Sequence, residues 1–128
     1  MEGPIGFAGG CLRVEGLAAA ELARRFGTPL YVYSAGALRE ALGRVRGAFR
    51  ESPEIYFPVK ANGLAALLRV LASEGCGFDV VSGGELKRIQ AAGLAGSRVV
   101  FAGVGKETWE IEEALSRHAL SFFNVESL

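Results

Sequence analysis

From residue 54 onward a short apolar run and a helix-patterned run alternate at a nearly fixed period. "EIYFPV", "GFDVV", "RVVFAG" and "LSFFNV" end near residues 59, 81, 102 and 125, about 21 to 23 positions apart. Between the first two, Leu64, Leu67, Leu68 and Leu71 fall at i, i+3, i+4 and i+7, one face of a helix. "GELKRIQAAG", ended by Gly93, and "ETWEIEEALSRH" are the next helical runs. Buried strands alternating with helices at this spacing build βαβ units around a parallel sheet. The expected fold is therefore α/β: a partial (β/α)8 TIM-type barrel of about four βα units, preceded by an N-terminal helix and strand segment. A complete barrel needs ~250 residues, and this chain has 128. An open half barrel leaves two sheet edges bare, which proteins normally cover. The expectation is a truncated chain or one half of something a partner completes, with a small doubly wound sheet as the alternative.

The N-terminal third follows a different pattern. A short strand is expected at Cys11–Val14, after a Gly-rich, linker-like first ten residues. "GLAAAELARRFG" predicts a helix stopped by Gly27, with Pro29 just beyond. "LYVYS" has the composition of a strand. "AGALREALGRVRGAF" places Leu38, Leu42, Val45 and Phe49 on one helical stripe. Residues 1–34 are expected to lead into the barrel and 35–128 to form its first half.

Charge and composition remove several function classes. Lys and Arg total 14 against 14 Asp and Glu, so the basic surplus of a nucleic-acid binder is missing. No apolar run reaches the ~18 residues of a membrane span, and the N-terminus has no basic n-region. The expectation is a cytoplasmic protein. Cys11 and Cys76 lie far apart with no metal-ligand spacing and are expected to be reduced thiols, with no metal site.

Chemistry in parallel α/β architectures gathers where the strands end. Only three lysines exist, Lys60, Lys87 and Lys106, and Lys60 arrives just as "IYFPV" ends. A lysine desolvated there would have a lowered pKa and a neutral amine able to condense with an aldehyde. Spacing alone equally allows a lysine whose stem snorkels to solvent. "DVVSGGE" could bring backbone N–H groups to a phosphate, but Ser82 and Glu85 also fit a capping box, each accepting from the other's backbone N–H. The capping reading is preferred, since a carboxylate would repel phosphate. Asp79, two residues before that strand's end, could hold Lys60 or a cofactor group. "GVGK" at 103–106 fails as a P-loop: Val100 stands where glycine is required and Glu107 replaces Ser/Thr. Lys106 is expected to be a solvated loop lysine and Lys87 to be exposed. His118, the single histidine, shares a stripe with Ile111, Ala114 and Leu115; it is expected to pack there and to favour the helix dipole. Trp109, Phe122 and Phe123 are core candidates.

Five blocks, in order, resemble the N-terminal part of the diaminopimelate decarboxylase family: "FGTPLYVYS" (26–34), "FPVKAN" (57–62), "GFDVVSGGEL" (77–86), "VFAGVGK" (100–106) and "FNVES" (123–127). Ornithine and arginine decarboxylases and alanine racemases share the lysine block, but "DVVSGGEL" is closer to the diaminopimelate enzymes. The resemblance implies a pyridoxal 5′-phosphate (PLP) enzyme on an alanine-racemase-like barrel, acting in lysine biosynthesis on a small amino acid and working as a homodimer. It implies that Lys60 is the Schiff-base lysine, both catalytic and cofactor-binding, and that Asp79 lies at an acidic position near it. In that family the phosphate-binding loop, the ring-stacking histidine, the acid on the pyridine nitrogen and the substrate-gripping residues come later in the chain. This chain alone is therefore expected to have no significant decarboxylase activity. Another PLP enzyme or PLP carrier of the same fold, and a non-catalytic half-barrel assembly module, are the alternatives.

Overall fold

A computed structural model describes residues 3–127. It divides into two compact units, Met1–Ser52 and Pro53–Leu128.

In the first unit, strands β1 (Ile5–Ala8), β2 (Cys11–Val14) and β3 (Leu17–Ala18) form an antiparallel sheet in the order β1-β2-β3. The glycines that made residues 1–10 read as a linker instead build a hairpin: Gly9 and Gly10 have φ of 57° and 76°, the left-handed pair of a two-residue turn, and Ala8 pairs with Cys11. Residues 1 and 2 of that stretch lie outside the described residues. Helix α1 (Ala19–Phe26) stops at Gly27, as expected, with φ 82°. "LYVYS" is not a strand: no strand among the described residues pairs with 30–33, and Tyr31 and Tyr33 are exposed. Ser34 instead starts helix α2 (Ala35–Gly47), its Oγ accepting from the Ala37 N–H at 2.9 Å and donating to Glu15 Oε1 at 2.5 Å. The same Glu15 oxygen accepts from the Gly36 N–H at 2.7 Å. These two bonds, the Ser34 hydroxyl first, hold the Glu15 carboxyl below its usual pKa. Of the expected α2 stripe, Leu42 is buried, while Val45 and Phe49 are exposed.

The second unit is the βα repeat. Strands β4 (Tyr56–Pro58), β5 (Gly77–Val80), β6 (Arg98–Phe101) and β7 (Ala119–Phe123) pair in parallel in the order β4-β5-β6-β7. Tyr56 pairs with Gly77, Phe78 with Val99 and Arg98 with Ala119, a step of 21 residues that becomes 22 past a bulge between Val99 and Val100, where Val100 pairs with Phe122. Helices α3 (Ala65–Ser73), α4 (Gly83–Ala91) and α5 (Thr108–Arg117) connect them. A doubly wound sheet reverses its strand order at a switch point. Here the order runs one way throughout, so right-handed crossovers place all three helices on one face, as in a barrel. Pro58 closes β4, where a missing N–H disturbs least.

The core lies between that sheet face and the helices. Phe78, Val80, Val99 and Phe101 alternate onto it, and Leu68, Leu71, Leu86, Ile89 and Ala114 cover them; none is more than 1 % exposed. Trp109 and Phe122 depart from their expected core places, being 43 % and 54 % exposed, and Phe123 is half-buried against Phe101. Cys76 is buried just before β5 and Cys11 is exposed; no disulfide joins them. No helix among the described residues is long and apolar enough to cross a membrane.

His118 does pack, at 8 % exposed, where α5 gives way to β7. Its Nε2 lies 3.3 Å from Gln90 Nε2, so the amide donates and the neutral ring carries its proton on Nδ1, which has no partner. Burial pushes its pKa below 6.5, partly offset by Glu113. A neutral ring offers no charge to the helix dipole, which corrects that half of the expectation. The unfolded chain takes up the proton near pH ~6.5, so this contribution to stability is full above that pH and is lost as pH falls toward the lowered folded value. The urea midpoint is therefore expected to fall more steeply between pH 7 and 5.5 in the wild type than in His118→Gln; equal slopes would remove His118 from the account.

Candidate functional site

β4 ends in one turn of 3-10 helix, Val59–Ala61. Val59, 2 % exposed, anchors the turn in the core, and Lys60 beside it is exposed. Asn62 Oδ1 then accepts from the Leu64 N–H at 3.0 Å, and the chain enters α3. The Lys60 side chain lines an open cleft of about 380 Å3 with Gly63, Ser82, Gly84, Glu85 and Arg88. The cleft lies at the C-terminal ends of β4 and β5, the end at which such sheets do chemistry. The desolvating apolar wall expected around Lys60 is not supplied by the described residues: the lining is mostly polar, and only Val59 contributes a large apolar side chain.

The opposite wall is the start of α4. Ser82 caps it, Oγ accepting from the Glu85 N–H at 3.4 Å. The return bond differs by one residue from the expected capping box. Glu85 Oε2 accepts from the N–H of Val81, at 2.6 Å, rather than from Ser82. Arg88, one turn further on, also lines the cleft and comes close to Gly63. A Cβ on Gly63 would lie 3.0 Å from both its Cδ and its Nη1, so a larger residue at 63 would displace the guanidinium. Sequence reading passed over Arg88 and Gly63. The only available signal was that helix period brings 85 and 88 to one side of α4.

Asp79 pairs in register with Pro58, two residues before Lys60. It points away from the face that buries Phe78 and Val80. Its Oδ1 is buried without a hydrogen-bond partner, an uncommon state for a carboxylate oxygen. No ion pair between Asp79 and Lys60 is formed.

The other lysines stand apart from the cleft. Lys87 is exposed, as expected, with Nζ 4.9 Å above the Trp109 ring. Lys106 is not the solvated loop lysine expected. Its side chain is 12 % exposed, and Nζ donates to the carbonyls of Gly103 and Asn124, both at 2.6 Å, with Glu126 at 3.8 Å. It ties the loop after β6 to the chain after β7. The Asn124 carbonyl that binds it is 18 residues ahead, beyond what local pattern can indicate. His118, at the N-terminal end of β7, sits at the opposite end of the sheet from Lys60. No group of three or more possible metal ligands occurs among the described residues.

A polar cleft around an exposed amine lies at the C-terminal end of a singly wound parallel sheet. Residues 35–128 match the family of pyridoxal-dependent decarboxylases over its pyridoxal-binding domain, and the chain belongs to that family. Its cofactor is pyridoxal 5′-phosphate. Among curated proteins, the chain is 51 % identical over 108 residues to the diaminopimelate decarboxylase of Neisseria meningitidis serogroup A, covering 84 % of this chain and 26 % of the relative. It is 45 % identical over 118 residues to that of Aquifex aeolicus, covering 92 % and 28 %. Among solved structures, diaminopimelate decarboxylase from M. jannaschii in complex with L-lysine superposes with a TM-score of 0.80 at 35 % identity, over 96 % of this chain and 30 % of that one. The chain thus spans under a third of the length of these relatives.

Proposed function

We propose that this chain is the N-terminal part of a diaminopimelate decarboxylase, which converts meso-2,6-diaminopimelate to L-lysine and CO2. Residues 1–34 lead into the barrel, and 35–128 form its first half. The whole protein is a cytoplasmic homodimer of lysine biosynthesis, and the chain alone is inactive. The observation that carries this reading is the Lys60 amine, presented in a polar cleft at the end of β4 within a pyridoxal-binding domain.

The residues present fit the cofactor. An exposed amine in an open cleft has room to meet an aldehyde, and the lone buried Asp79 Oδ1 on the neighbouring strand is an acceptor awaiting a donor. Lys60 would hold the group through Nζ, with Asp79 beside it. Bound pyridoxal phosphate supplies an electron sink for the pair released as CO2 leaves. Lys60, once its nitrogen is free, can carry a proton at Nζ. Ser82 and Gly84 wall the cleft, and Glu85 keeps that wall in place through the Val81 N–H.

The test uses the full-length product of the encoding gene. With pyridoxal phosphate and meso-diaminopimelate, it is expected to release CO2 and L-lysine in equal amounts. Turnover of ornithine or arginine in preference, or racemisation without CO2, would overturn the assignment.

A further inference from the structure

A buried carboxylate stands behind the wall that carries Ser82, Gly84 and Glu85. Glu110, in the first turn of α5, is 8 % exposed, a burial that glutamates rarely accept without partners. Its two oxygens serve two helix starts. Oε2 accepts from the Glu107 N–H at 2.9 Å, closing a capping box inside α5. Oε1 accepts from the Gly83 N–H at 2.5 Å, across 27 residues. Gly83 is the first residue of α4, so one side chain fastens the start of α4 to the start of α5. The capping box would satisfy α5 alone; the second bond acts only on α4. Trp109 completes the join, its ring held by an Nε1 bond to Glu107 Oε2 at 2.7 Å. A Cβ on Gly83 would lie 2.2 Å from Trp109 Cη2 and 3.0 Å from Glu110 Cγ. A side chain at 83 would meet Trp109 and Glu110, and Gly83's own N–H, free at most helix starts, is taken.

We propose that Glu110 is a positioning residue for the Lys60 cleft: through the Gly83 N–H it fixes where Ser82 to Glu85 stand, and so the width of the cleft into which the Lys60 amine opens. Glu110 does not itself line the cleft. Its role toward the cofactor rests on the function proposed for Lys60, whereas its hold on Gly83 does not. Glu110→Gln preserves size but turns an NH2 toward one of two N–H donors, leaving that donor unmet.

The full-length gene product is used, with Leu71→Ala as a variant that destabilises the core away from the wall. Without cofactor, amide exchange over residues 82–86 is expected to speed up roughly tenfold or more in Glu110→Gln, the weight of one charge-assisted hydrogen bond. Exchange over β6 is expected to be unchanged. Affinity for pyridoxal phosphate, followed by its absorbance on the protein, is expected to weaken severalfold in Glu110→Gln and to stay within about twofold in Leu71→Ala. Unchanged exchange at 82–86, or equal loss of affinity in both variants, would overturn the proposal. Should Glu110→Gln not fold, Glu110→Asp, which keeps the charge but shortens the reach, is expected to give the same localised pattern, and its absence counts equally against. If wild-type protein forms no borohydride-reducible adduct at Lys60, the cofactor reading fails by itself, and exchange at 82–86 alone then decides whether Glu110 holds the wall.

Discussion

Full-length gene product carrying Lys60→Ala is expected to lose decarboxylation by at least ~10^3-fold, since a positioned proton-transfer group alone contributes roughly 10^2–10^4 and covalent attachment of the cofactor is lost as well. Lys60 is the single lysine lining the cleft; Lys87 lies over Trp109, and Lys106 is bound to two carbonyls. Among the described residues, no other ammonium group is placed to take over. Borohydride reduction of the wild-type holoenzyme, followed by peptide mapping, should put the pyridoxyl group on the peptide containing Lys60. Labelling of a different lysine, or near-normal turnover by Lys60→Ala, would end the assignment. Lys60 is exposed, so the variant should unfold at the wild-type urea concentration. That separates loss of chemistry from loss of fold.

Phe78→Ala should have the opposite profile, acting on stability first. Phe78 is fully buried in the middle of β5 and pairs with Val99. Truncating a buried aromatic to alanine costs about 3–5 kcal/mol, the transfer loss plus the cavity left behind. β5 leads into the α4 wall of the cleft and bears Asp79 on its other face. The expected result is a large fall in the urea midpoint, with any protein still folded keeping measurable affinity for pyridoxal phosphate. A change under ~1 kcal/mol would mean that the site collapses to fill the void, as well-tolerated core substitutions do. It would also contradict the close packing drawn between β5 and the helices.

Where the sequence was legible, a local rule and the global fold agreed. Leu68 and Leu71 are buried because helix period and sheet position ask for the same thing at 68 and 71. Lys60 could be placed because an apolar run must stop where its strand stops. The misreadings have specific physical causes. "LYVYS" has strand composition but no partner among the described residues, and strand propensity is in effect a packing preference. The β1–β2 hairpin hid behind two glycines that resemble linker and are in fact the turn. Glu85 shows the limit of motif reading: the Ser-x-x-Glu spacing was correct, yet its carboxylate settled on Val81 rather than Ser82. Lys106 and Glu110 were out of reach. Their partners, Asn124 and Gly83, lie 18 and 27 residues away and offer only backbone atoms, which no residue type advertises.

The one-way strand order bears on how the chain is made. Each strand from β5 to β7 pairs with the strand 21 to 22 residues before it, so its template has already left the ribosome when it emerges. Synthesis at ~5–20 residues per second allows about one to four seconds between successive strands, far longer than helix formation or collapse requires. A growing chain can therefore add one βα step at a time in the order of translation, and never has to hold an early strand open for a distant late one.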